Sequence, residues 1–219
     1  MSLDELLPSI IVVAVMLLVA FPIHEFAHAL AAYRLGDSTA RLFGRVTINP
    51  FAHFDPIGGT LFAVSVLASG GAFGFGWAKP TPVNPLNLRN GRHGEALVAA
   101  AGPLSNLILA VAAAIPLRYL IANPELIQNT GLLLPVLDIF VRLNLILMLF
   151  NFVPVPPLDG SKVLLALANP RTAWQLRPIL EQYGIFILFI LFFFPPNNSI
   201  GGQILRPILG AIYGFLVGA

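Results

Sequence analysis

Apolar residues run almost without interruption from Pro8 to Ala32, from Ala96 to Leu117 and from Leu132 to Phe152. Each run is close to the roughly 20 residues that carry a helix across a bilayer, so three membrane-spanning helices are predicted. A fourth run, Ile57 to Trp77, is long enough but rich in glycine, which suits a re-entrant or broken segment better than a plain span. Two shorter runs, Ile185 to Phe194 and Ile208 to Val217, flank the turn-forming stretch PPNNSIGGQ and predict a C-terminal helical hairpin, with Arg206 at the edge of the last run. Two intervening stretches should not be helical. Arg45 to Asn49 places β-branched residues before the turn signal Asn49-Pro50, and Lys79 to Pro85 is proline-rich and extended.

The expectation is an all-α polytopic membrane protein: one integral membrane domain over residues 1–219, with a core of about 8–170 and a hairpin of about 180–219. Composition agrees, since 57% of the residues are hydrophobic and 10% charged, against about 25% charged in soluble domains. A net charge of +2 is too small and too scattered for a nucleic-acid partner, and the lipid bilayer is the environment expected instead. The basic residues serve topology. Arg34, Arg41 and Arg45 follow the first span, Lys79, Arg89 and Arg92 precede the second, and Lys162, Arg171 and Arg177 follow the third. The positive-inside rule places all three loops in the cytoplasm, which requires Ile57 to Trp77 to enter and leave on one side. The cell membrane is the expected location.

Against this apolar background, His24-Glu25-Phe-Ala-His28 stands out inside the first span. Residues four apart on a helix share a face, so both imidazoles can reach one metal, with Glu25 beside it to take a proton from water. Three ionisable groups in hydrocarbon at ligand spacing are hard to explain as packing, although two satisfied core histidines and a bonded acid remain the plain alternative. With no cysteine in the chain, a metal must be held by His, Asp or Glu. Asp159 suits the third position. It follows the prolines that end the third span, in Asn151-Phe-Val-Pro-Val-Pro-Pro-Leu-Asp159-Gly160, where the glycine permits a sharp turn back into the membrane.

HEFAH together with NFVPVPPLDG resembles the site-2 protease family of zinc intramembrane proteases. Ala101-Gly-Pro-Leu-Ser-Asn106 looks like a further family element, and Asn49 to Gly58 is similar to the minimal subgroup without PDZ or CBS domains. The resemblance implies one Zn2+ held by His24, His28 and Asp159, with Glu25 as catalytic acid/base. It also implies a transmembrane protein or peptide as substrate, cleaved in regulated intramembrane proteolysis. The helical backbone of such a substrate must unwind before attack.

Asn106 has the right group and depth to donate to a developing oxyanion, or else it simply bonds between helices. Asn151 is placed to orient a ligand or bind substrate, with a helix cap as its alternative. His53 is read as supporting the site or facing the substrate. Asp138 and Arg142, four apart in the third span, should neutralise each other. The competing function is a zinc-binding membrane protein or metal transporter without peptidase activity. Substrate identity and oligomeric state are not written in the sequence.

Overall fold

The computed structural model describes residues 3–71, 74–127, 130–195 and 198–218, which form helices and extended loops with no β-strand among them. The first apolar run becomes one continuous helical rod in three parts: α1 (Leu3–Val15), a π-helical turn (Met16–Ala20) and α2 (Phe21–Arg34). The turn has a local cause. Pro22 has no amide to offer the Leu18 carbonyl, and the Phe21 amide reaches back five residues to the Met16 carbonyl. The helix is thereby re-phased just before His24.

Two short helices, α3 (Thr39–Leu42) and α4 (Pro50–His53), lead to α5 (Pro56–Ala68), started by Asn49 and Asp55 caps. Thirteen residues reach about 20 Å, short of a bilayer's hydrocarbon. The chain then returns. The Lys79 amide donates to the His53 carbonyl at 2.9 Å, so the excursion leaves and ends at one place, as a re-entrant dip must. Its glycines mark close backbone approach: a Cβ on Gly58 would sit 2.3 Å from the Trp77 carbonyl oxygen, and one on Gly76 2.3 Å from that of Gly58.

The remaining helices are α6 (Arg92–Ala122), α7 (Pro124–Ile127), α8 (Leu133–Asn151), α9 (Gly160–Leu167), α10 (Pro170–Phe193) and α11 (Ile200–Val217). Among the described residues, five helices are long and apolar enough to cross a membrane: residues 6–34, α6, α8, α10 and α11. The last two are longer than hydropathy predicts. Arg171, Arg177 and Glu181 hide the first half of α10 from an apolar count, and Arg206 does the same in α11.

The C-terminal hairpin is packed onto the rest of the bundle through its second helix. Leu209, Ile212, Tyr213, Leu216 and Val217 of α11 pack on Ala110, Ala114 and Leu117 of α6 and on Val141 and Leu145 of α8. Ala110 and Ala114, one turn apart, let α6 and α8 approach closely, as small residues do between membrane helices. The three basic loops meet at one end of this bundle. The Arg89 amide bonds the Leu35 carbonyl at 2.8 Å, Arg92 donates to the Ala168 carbonyl at 2.9 Å, and Arg177 pairs with Glu95 at 3.1 Å.

Candidate metal centre

His28 and His24 lie six and ten residues before Arg34, about 9 and 15 Å along the helix from the basic end of the bundle. Both are buried, and α6 crosses directly over them. A Cβ at Gly102 would lie 2.4 Å from His28 Nε2 and 2.6 Å from His24 Nε2, so only glycine leaves room between the rings and the helix. Pro103, next to it, removes the amide that would bond the Ala99 carbonyl. One residue before that carbonyl, Val98 accepts a hydrogen bond from His28 Nδ1 at 2.7 Å. A carbonyl can only accept, so the His28 proton is on Nδ1 and Nε2 offers a lone pair.

Asp159 arrives from the other side, on a loop that folds back on itself. The Leu158 amide bonds the Val155 carbonyl, and Ser161 Oγ donates to the Leu158 carbonyl at 2.7 Å. Gly160 is required by crowding, where a turn conformation was expected: its backbone is ordinary, but a Cβ would meet the Phe152 carbonyl oxygen at 2.3 Å. Although Asp159 stands at the N-cap of α9, its carboxylate does not cap the helix. It points instead at the imidazoles, with Oδ2 3.2 Å from both Nε2 atoms, which are themselves 3.0 Å apart.

These three atoms form a nearly equilateral triangle whose sides match tetrahedral zinc, since ligands at 2.0–2.1 Å stand about 3.3 Å apart. His24, His28 and Asp159 form the one group of three or more potential metal ligands among the described residues. With both Nδ1 atoms engaged outward, the inward-facing Nε2 lone pairs and the carboxylate are placed to hold a cation between them, and the donor set of two imidazoles and a carboxylate is one that zinc takes.

Glu25, the next residue along α2, is held by the returning extended segment. Its Oε2 accepts from the Thr81 amide at 2.8 Å, and Thr81 Oγ1 donates to the Glu25 carbonyl at 3.0 Å. Oε1 bonds to none of the described residues. The segment is fixed from both ends, by Lys79 on His53 and by the Asn84 amide on Asp37 Oδ2 at 2.7 Å. Its alternate residues, Pro80 and Pro82, have no amide N–H, so the opposite edge offers carbonyls and few donors.

The other expected residues take different places. Asn106 is fully buried behind His24: its Oδ1 lies 2.6 Å from His24 Nδ1 and its amide nitrogen donates to Asn144 Oδ1 at 2.9 Å. One of the two hydrogens of its NH2 is thereby committed to α8. Asn151 bonds back to the Leu147 carbonyl at 3.0 Å, within the last turn of α8. His53 does not join the ligand group. It is buried with Nε2 on the Thr47 carbonyl at 2.8 Å and braces the loop before α5. Asn144 and Thr81 were missed, because each acts through a neighbour distant in sequence.

Residues 12–128 match the model of peptidase family M50. The chain belongs to that family, the site-2 proteases. The matched residues include His24, Glu25, His28 and the α6 segment around Gly102 and Asn106. A Bacillus subtilis protein named "Putative zinc metalloprotease YwhC" is 41% identical over 198 residues, covering 89% of this chain and 84% of its own. A Mycolicibacterium smegmatis protein, "Putative zinc metalloprotease Rip2", is 29% identical over 181 residues, 83% of this chain and 66% of its own. No solved structure matches. As a family M50 member at this similarity, the chain is a zinc metalloprotease of the membrane.

Proposed function

We propose that this M50 peptidase is an intramembrane endopeptidase that cuts a transmembrane segment of another membrane protein, in regulated intramembrane proteolysis at the cell membrane. His24, His28 and Asp159 hold the zinc, and Glu25 is the acid/base. The observation that carries the reading is the triangle of acceptor atoms about 9–15 Å inside the basic end of a bundle of membrane-spanning helices, beyond the reach of a soluble substrate. The gathering of three basic loops at that end supports a cytoplasmic-side opening.

Zinc, when bound, supplies Lewis acidity that polarises the scissile carbonyl and makes water acidic enough to be deprotonated near neutrality. Glu25 takes the proton from the attacking water at Oε1, the oxygen without a partner among the described residues, while the Thr81 amide fixes Oε2. It then delivers that proton to the leaving amine nitrogen. The peptide groups of a substrate helix are bonded to one another, so it must present an unwound stretch to the site, and glycine or proline near the cut lowers the cost of unwinding.

Glu25→Gln in the purified full-length protein is the test. Zinc content should stay near that of the unaltered protein, while cleavage of membrane peptides containing glycine or proline falls by at least about a thousandfold. Undiminished cleavage would sink the mechanism. Zinc flux into proteoliposomes without cleavage of any peptide would favour the transporter reading.

A further inference from the structure

His24 reaches the centre through a chain of amides whose direction is set at its far end. The Phe140 carbonyl, on α8, can only accept, and Asn144 Nδ2 donates to it at 2.9 Å. That turns Asn144 Oδ1 toward Asn106, whose Nδ2 donates to it at 2.9 Å. Asn106 Oδ1 is then left to face His24 Nδ1 at 2.6 Å. Both asparagines are fully buried, so no water competes for these bonds. Deprived of the Asn144 oxygen, the buried Asn106 NH2 would turn to His24 Nδ1 as its remaining acceptor, favouring the ring form with the proton on Nε2, which cannot bind a metal.

We propose that Asn144 is a positioning residue for the metal centre: through Asn106 it fixes the His24 proton on Nδ1 and so keeps the Nε2 lone pair aimed at the zinc. The proposal rests on His24 being a zinc ligand. It gives α8 two contributions, the loop that carries Asp159 and the bond that orients His24, so the two ligands from α2 and the one after α8 are registered by a single helix. The competing account is an ordinary hydrogen bond holding α6 to α8, which would matter for folding and not for the metal.

The two accounts separate in the Asn106→Asp background. A carboxylate at position 106 still accepts from His24 Nδ1, but it has no NH2 to misdirect, so the direction of the chain no longer depends on Asn144. Zinc affinity is measured on full-length protein in detergent by competition with a chromophoric chelator. Asn144→Leu alone should weaken zinc binding about 10- to 100-fold, as loss of a ligand's supporting bond does. In the Asn106→Asp background the same Asn144→Leu change should leave affinity almost unaltered. Equal losses in both backgrounds, no loss in either, or failure to fold in both would overturn the proposal. His24→Ala serves as the control on the parent reading: if it keeps the affinity of the unaltered protein, the ligand assignment itself has failed, whatever Asn144 does.

Discussion

Two polar clusters share helix α8 and face opposite ways. Asn144 looks toward α6 and the metal centre, while Arg142, two residues earlier and about 200° around the helix, looks toward α11. Arg142 Nε donates to both carboxylate oxygens of Asp138, at 3.0 and 2.9 Å. Its guanidinium lies 3.8 Å over the Tyr213 ring, and the Tyr213 hydroxyl donates to the same carboxylate. Every charge in that triad is answered within it. At the centre, by contrast, the protons of His24 and His28 are directed outward, to Asn106 and Val98, and three acceptor atoms are left converging on one point without a donor. Both clusters bring polar groups into a membrane bundle. Only the one left open can do chemistry, and its openness is built from bonds made elsewhere.

Closing the open cluster should have the largest effect. In Gly102→Ala the new methyl group would lie 2.4 and 2.6 Å from the two Nε2 atoms, where the rings cannot withdraw without breaking their outward bonds. Bound zinc, measured by elemental analysis of purified protein, should be lost, and proteolysis with it. Retention of stoichiometric zinc would show that α6 does not crowd the ligands as described.

How much of this contrast was legible beforehand follows from sequence distance. His24, Glu25 and His28 announce themselves because one helical turn connects them, and Asp159 because prolines end its span. The dip at residues 57–77 was readable from its glycines, but their reason was not: Gly58 and Gly76 are small because two backbones touch there, a fact of tertiary packing. Asn144 is a single amide in an apolar run, 38 residues from Asn106, and no local pattern links the two. Thr81 lies 56 residues from Glu25, in a segment recognisable as extended but without a visible partner. Hydropathy shows only the second half of helix α10, because charged residues populate the first.

Opening the closed cluster should cost stability and leave the metal alone. Asp138→Leu strips Arg142 of its carboxylate, and an unpaired charge at membrane depth costs about 1–3 kcal/mol here, allowing for the partial exposure of both side chains. Asp138→Leu combined with Arg142→Met removes the charge as well as its partner and should recover most of that loss. Unfolding in mixed micelles reads both variants, and their zinc content should match the unaltered protein. A double variant less stable than the single one would mean that the triad holds α11 in place by more than mutual neutralisation.

Between these extremes stands Glu25, open at one oxygen and held at the other. Thr81→Pro removes the amide that bonds Oε2, in a segment already extended between Pro80 and Pro82, and Thr81→Val, which keeps that amide and loses only the hydroxyl bond to the Glu25 carbonyl, is its control. The expected result is a fall of about tenfold in kcat, the worth of one charge-assisted hydrogen bond, with zinc content and KM little changed. An unaltered kcat would show that Glu25 needs no brace.

The smallest effect belongs to a third cluster, closed like the triad but outside the spans. The Asp37 carboxylate is fully buried, and burial alone would raise its pKa. Four donors more than reverse this: the Thr39 hydroxyl, the Asn87 side chain, and the Asn84 and Thr39 amides together hold it below the usual carboxylate range. A depressed carboxylate contributes stability that is fully present above its unfolded value, about 3.9, and disappears as pH falls through the lower folded value. The gap in unfolding midpoint between the unaltered protein and Asp37→Asn should therefore be constant from pH 7 to pH 5 and narrow only below about pH 4. A gap that already closes between pH 7 and pH 5 would mean that Asp37 titrates at or above the ordinary value, and that the loop carrying Thr81 is anchored by something other than this charge.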